Sequence, residues 1–317
     1  MDTLQIYNLH LKINHLEDIF YILRGVNLAL RMDKFLGIVG ESGSGKTMTC
    51  LSLMRLLPKG ANITTGKILF QGDDLCRYSD KQMETVRGKK ISMIFQDARA
   101  ALNPVFTVGD QIADIYSYYT GDNHSIGIKK AIELLDVMGI PNARSRVKSY
   151  PHELSGGMCQ RVLIAMALIS NPKLVIADEI TSGLDVTIQS QVIELIKSVC
   201  DKLSASLILV SHDIGVIIEA CSDIAVMYSG IVVEQGSVST VLRKPLSPYT
   251  EALLECFEIG HSTRMSFITG IAPNLKLVKP GCPFAPRCKY AMDTCKVKVP
   301  ELKIYEPGHW VACHRYV

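Results

Sequence analysis

The chain has 317 residues, 48% hydrophobic and 21% charged, which is enough apolar sequence for one large packed domain plus a smaller one. A net charge of +3 is too mild to argue for nucleic acid, where a concentrated basic face is expected, so charge names no partner and none of nucleic-acid class is expected. No window holds the roughly 18 to 20 apolar residues of a membrane span, and MDTLQIYNLHLKI has no basic start followed by an apolar core. The expectation is a cytosolic protein that reaches a membrane only by docking on an integral partner.

Alternation in Leu4 and Ile6, in Leu9, Leu11 and Ile13, and then over 21–30 predicts antiparallel strands. Residues 35–39 read as a buried strand entering a glycine loop, 48–57 as a helix stopped by Pro58, and 66–70 as another strand. A strand at 91–95 precedes helical sequence at 108–119 and 125–138, a helical insertion within about 97–160. Strands and helices then alternate at 174–177, 188–203, 206–210, 214–221 and 224–228, the rhythm of a parallel sheet covered on both faces. Two prolines within 244–249 precede a last helix at 250–257, and frequent prolines beyond it leave little regular structure. The fold expected is α/β: a mixed sheet with an antiparallel β subdomain and a helical subdomain over 1–256, then a small irregular cysteine-rich domain over 257–317.

Gly40, Glu41, Ser42, Gly43, Ser44, Gly45, Lys46 and Thr47 fit GxxxxGK[ST] between a buried strand and a helix, the context that a phosphate loop needs. The loop amides would nest the phosphates of ATP, Lys46 would reach the β- and γ-phosphates, and Thr47 would give an oxygen to Mg2+. The strand at 174–177 runs into Asp178 and Glu179. Alone these are ordinary acidic turn residues; beside a phosphate loop, Asp178 would hold Mg2+ through its water shell and Glu179 would polarise the attacking water. Gln96 and His212 each follow a strand and are weak signals singly. Leu154, Ser155, Gly156, Gly157 and Met158 precede an apolar helix, where Ser-Gly-Gly by itself is an N-cap and turn. Ser182, Gly183, Leu184 and Asp185 likewise read as a turn with a cap.

In this order the motifs resemble the ATPase subunits of ABC transporters over about 1–256. The resemblance implies that His212 bonds the γ-phosphate and that Gln96 reaches Mg2+ and the water. It implies that residues 154–158 close on ATP held by a second ATPase subunit, and that 182–185 pass signals between the two. GESGSGKT, IFQDARAALNP, YPHELSGGM, DVTIQSQV and PLSPYTEALL are similar to one branch, the ATP-binding subunits of dipeptide, oligopeptide and nickel importers. That branch implies a similar but distinct second ATPase subunit, two integral permease subunits contacted around 96–108, an extracytoplasmic substrate-binding protein, and a peripheral place on the cytoplasmic face of the membrane. Peptide is the expected cargo, with nickel or a metal chelate as the alternative. A soluble ABC ATPase without a permease is the other reading, but such proteins carry two cassettes or a long coiled-coil insertion. Ala98, Ile180 and Cys159 depart from the usual pattern; Cys159 stands where arginine is usual and would remove a charge beside the partner's nucleotide. No aromatic residue is assigned to adenine.

Ten cysteines divide into six scattered ones, read as small core hydrophobes, and four near the end. Cys282, Cys288, Cys295 and Cys313 lie in a proline-rich segment too poor in apolar residues for its own core, so a metal would supply the missing cross-links. The resemblance implies a [4Fe-4S] cluster on these four, with Zn2+ as the alternative. His309, Trp310 and His314 would pack around it or act as ligands.

Overall fold

The computed structural model describes residues 2–15, 18–183, 185–259, 268, 270 and 280–316. The first elements are β1 (Asp2–His15), β2 (Asp18–Arg31), β3 (Phe35–Val39), α1 (Lys46–Met54), β4 (Ala61–Phe70) and β5 (Asp73–Asp74). There follow α2 (Asp80–Glu84), β6 (Ile91–Ile94), α3 (Ala98–Ala101), α4 (Val108–Thr120), α5 (His124–Val137), α6 (Ala143–Arg146) and α7 (Gly156–Leu168). Then come β7 (Leu174–Asp178), α8 (Val186–Leu203), β8 (Ser206–Val210), α9 (Ile214–Ala220), β9 (Asp223–Tyr228) and β10 (Ile231–Ser237). The last are α10 (Val238–Arg243), α11 (Pro248–Ile259), α12 (Asp293–Val297), β11 (Lys303–Glu306) and β12 (His309–Val311). The chain divides into two compact units, residues 1–78 with 209–317, and residues 79–208.

In the first unit an antiparallel sheet has the order β2-β1-β4-β5. Its β1 changes phase: Leu4 and Ile6 are buried, and so are Leu9 and Leu11. A register shift between Ile6 and Leu9, with Asn8 at φ 45, takes up the extra residue, and both apolar pairs stay on the core face. Within the same unit β3 is parallel to β9, β9 antiparallel to β10, β10 to β12, and β12 to β11. Helix α1 ends at Met54 rather than at 57, because Arg55 turns left-handed at φ 48 and its N–H caps the carbonyls of Leu51 and Ser52.

The expected irregular end is corrected by β11 and β12, which extend the sheet from β10 with Glu234 opposite Val311 and Gln235 opposite Trp310. These strands have four and three residues, too short to show alternation among prolines. They are held by Glu234 and His309, both fully buried and 2.7 Å apart. The carboxylate of Glu234 also accepts from the backbone N–H of Leu246 at 2.8 Å and of Ser247 at 2.9 Å.

In the second unit β6 and β7 pair in parallel from Ile91 opposite Leu174 to Ile94 opposite Ala177, every residue buried. Ser206 N donates to Lys173 O at 3.0 Å, bringing the start of β8 beside the start of β7. Helix α7 packs on β6 and on α3, α4, α5 and α8, burying Val162, Ile164, Ala165 and Leu168. Among the described residues no helix is long and apolar enough to cross a membrane.

Candidate nucleotide site

The first unit carries the phosphate loop. Strand β3, FLGIV, is buried throughout and delivers the chain to Gly40, where φ is +153 and a Cβ would lie 2.2 Å from Met227 O and 2.8 Å from Ser44 Oγ. The loop curls over its own carbonyls. Ser44 N donates to Glu41 O at 3.1 Å, and Lys46 Nζ donates to Gly40 O at 2.8 Å and Glu41 O at 3.1 Å. Lys46 is 5% exposed. The hydroxyl of Ser44 is buried with no hydrogen-bond partner among the described residues, an unsatisfied donor in the loop that would wrap phosphate. Thr47, in the first turn of α1, is exposed. The residues present therefore fit a Mg2+-nucleotide, with basic, hydroxyl and backbone N–H groups gathered on one turn.

His212 is exposed after β8, and Ser211 N donates to Ile38 O at 3.2 Å, which sets His212 at the same strand end as Gly40. Its neighbour Asp213 caps α9 by accepting from Gly215 N at 2.8 Å. A residue that the sequence left unassigned to chemistry also touches the loop. The fully buried Tyr249, inside PLSPYTEALL, accepts at its hydroxyl from Glu41 N at 2.9 Å.

The second unit carries the acidic pair. Asp178 ends β7 and is 6% exposed. Glu179 then adopts φ 49, a left-handed turn uncommon for a residue with a side chain, which bends the chain sharply off the end of β7. Gln96, exposed just after β6, donates from Nε2 to Glu179 Oε2 at 3.3 Å, so the two residues predicted to act on one water are neighbours. Ile180 is buried, and Ala98 is buried at the start of α3, which Asp97 caps.

The signature residues divide between packing and display. Leu154 is buried; Ser155 and Gly156 are exposed, and a Cβ on Gly156 would meet nothing within 4 Å. Ser155 also caps α7, its Oγ accepting from Met158 N at 3.3 Å, so the local reading and the ligand reading coexist. Cys159 corrects an expectation: it is fully buried, and its thiol donates to Pro151 O at 3.4 Å, so it points into the helical packing and not toward a nucleotide. Burial pushes this thiol's pKa up. Ser182 and Gly183 are exposed, Asp185 caps α8 by accepting from Ile188 N at 3.0 Å, and Leu184 lies outside the described residues.

At the end of the chain Cys282 N donates to Cys295 O at 2.8 Å. The four cysteines are near enough to perturb one another. Burial pushes the Cys282 thiol up to about 11, with Cys295 and Cys313 adding to the rise, and burial raises Cys288 and Cys313 as well. Among the described residues, however, no three His, Cys, Asp or Glu side chains group as a metal ion would require. The expected ready-made metal site is therefore not formed by the side chains as they stand; Cys288 Sγ instead accepts from Tyr290 N at 3.4 Å. The histidines are engaged elsewhere, His309 with Glu234 and His314 with Lys298 O at 2.9 Å.

Comparison with known proteins agrees with this geometry. The family described as "ABC transporter" matches residues 23–182, and the one described as "Oligopeptide/dipeptide transporter, C-terminal region" matches residues 233–295. The chain is 42% identical to the oligopeptide transport ATP-binding protein AppD of Bacillus subtilis, covering 96% of each chain. It is 42% identical to the dipeptide transport ATP-binding protein DppD of Escherichia coli, covering 91% of this chain and 89% of the relative. A solved dimer of the ATP-binding cassette MJ0796 bound to ADP and Pi superposes with a TM-score of 0.67 at 26% identity, covering 74% of this chain and 98% of that one. The chain belongs to the ABC transporter family, in its ATP-binding subunit class, and is an α/β ATPase.

Proposed function

We propose that this chain is the ATP-hydrolysing subunit of an importer that carries dipeptides or oligopeptides across the cytoplasmic membrane. The observation that carries the cargo class is the match at residues 233–295, which lies beyond the residues 23–182 that the general ABC transporter family matches. Nickel or metal-chelate uptake is not favoured, since the relatives named above are peptide transport proteins. The test is reconstitution with permease and binding protein: peptide-loaded binding protein should stimulate ATP hydrolysis, and stimulation by nickel alone would overturn the assignment.

In this reading the backbone amides of residues 40–47, Ser44 Oγ and Lys46 hold the phosphates, and Thr47 and Asp178 are the Mg2+ side chains. Bound Mg2+ supplies charge neutralisation on the β- and γ-phosphoryl oxygens. Glu179 accepts a proton from the water that attacks the γ-phosphorus, and the bond to the bridging oxygen breaks with its electron pair leaving on ADP. Gln96 orients that water through its contact with Glu179, and His212 donates to the γ-phosphate. The ATPase domain spans 1–256, with a C-terminal extension at 257–317.

A second ATPase subunit, similar but distinct, completes the motor. Exposure of Ser155 and Gly156 supports this role, because the pair has no packing task toward its own chain. Gly156→Asp should fold normally and bind ATP normally, yet hydrolyse it roughly a hundredfold more slowly in the assembled complex, because the added carboxylate would project from the exposed turn and repel the γ-phosphate, undoing phosphate-directed stabilisation. Retained hydrolysis in a phosphate-release assay would reject the role. Two permease subunits would dock near 96–108, where exposed Val105 (70%) and Phe106 (49%) support an apolar contact, and the chain would then lie on the cytoplasmic face of the membrane as a peripheral protein.

The four terminal cysteines are proposed to hold a structural [4Fe-4S] cluster. What supports the reading is the mutual electrostatic effect among these four partly or fully buried thiols, which a cluster would bind one per iron. Cys288→Ser should lower the iron content of purified protein and retain ATPase activity; zinc in place of iron by elemental analysis would overturn the proposal.

A further inference from the structure

Glu41 is the second residue of the phosphate loop, and the C-terminal segment holds it. Arg287 donates from Nη1 to Glu41 Oε2 at 2.8 Å and from Nη2 to Glu41 Oε1 at 2.9 Å, a two-pronged pair. The same guanidinium donates to the Tyr228 hydroxyl at 3.1 Å and to Ile268 O at 2.9 Å. Its side chain is 5% exposed, against 28% for Glu41.

The anchor behind Arg287 is rigid. The rings of Tyr228, Tyr249 and Phe284 pack with centroids 4.5, 5.2 and 5.4 Å apart, and both tyrosines are fully buried. Arg287 ends a short 3-10 turn, Ala285–Arg287, in which Arg287 N donates to Phe284 O at 2.9 Å. All of these residues belong to the first compact unit.

Glu41 is where such a hold has leverage. Its carbonyl oxygen accepts from both Lys46 Nζ and Ser44 N, so the curl of the loop and the place of its lysine depend on where Glu41 sits. Its own N–H is fixed by Tyr249, and its carboxylate by Arg287. A carboxylate without Arg287 would stand beside a phosphate site as an unneutralised negative charge, opposing the anion it helps to enclose.

We propose that Arg287 is a positioning residue for the nucleotide site: by pairing with Glu41 it sets the phosphate loop in its ATP-receiving shape and cancels the loop's own negative charge. The C-terminal segment is thereby a working part of the ATP site in cis. This rests on the reading of residues 40–47 as the ATP site.

The test uses the full chain and a double-mutant cycle of Arg287→Met and Glu41→Gln, with MgATP dissociation constants, KM and kcat measured separately. Arg287→Met should weaken MgATP binding and raise KM roughly tenfold, with kcat at saturation nearly unchanged. Arg287→Lys should recover part of the loss, because it restores charge without the fork. Glu41→Gln keeps the shape and should fold, and it should remove most of the further effect of Arg287→Met. Unchanged KM in both single variants, or effects that multiply in the double variant, would overturn the proposal. If Lys46→Ala binds ATP as well as the natural protein, the ATP-site reading itself fails, an outcome distinct from a normal Lys46→Ala defect with unaltered Arg287 variants.

Discussion

Glu179→Gln is expected to slow ATP hydrolysis by roughly a hundredfold to ten-thousandfold, the range for loss of a general base, while ATP still binds. The substitution preserves shape and removes only the ability to take a proton. Glu179 stands at φ 49 immediately after the buried Asp178, and Gln96 donates to its Oε2 at 3.3 Å. Single-turnover phosphate release and nucleotide binding in the same preparation separate the two effects. Hydrolysis at the natural rate would remove Glu179 as the base and direct attention to His212.

Glu234→Ala is expected to destabilise the first unit by about 3 kcal/mol or more, since it leaves several buried hydrogen-bond donors unpaired at about 1 to 3 kcal/mol each. Glu234 is 0% exposed, and its carboxylate accepts from His309 Nε2, Leu246 N and Ser247 N. Its removal strands three buried donors at once and releases β12 from β10 at the Glu234 and Val311 pair. Urea unfolding gives the stability change directly, and the midpoint should fall. Glu234→Gln should lose less, since its amide oxygen still accepts. A midpoint unchanged in the alanine variant would show that the strand pairing alone holds the terminal hairpin.

Much of the chemistry was readable in one dimension because phosphate binding uses contiguous backbone. Eight successive residues from Gly40 to Thr47 make the loop, and the strand and helix that flank it follow from β3 being buried throughout and α1 starting at Lys46. The acidic pair proposed to act on Mg2+ and water was readable for the same reason, as the last residue of an apolar strand and its successor. The positive φ of Glu179 was not, since nothing in Asp-Glu-Ile distinguishes a left-handed turn from an ordinary one. Cys159 was misplaced by motif position: it lies in the signature, but its place on α7 turns it into the packing beside Pro151. The terminal strands were missed because three and four residues between prolines carry no period, and their pairing with β10 is selected by Glu234 and His309, 75 residues apart.

By itself the sequence determined the ATPase class, the phosphate loop, the acidic pair and the order of the elements, each encoded by residues adjacent along the chain. Tertiary structure alone decided that Gln96 meets Glu179, and that Tyr249 and Arg287 hold Glu41 from more than 200 positions away. The physical reason is that such pairings depend on burial and directional hydrogen bonds between distant segments. Those appear only once the apolar strands have packed and fixed which polar groups must satisfy one another.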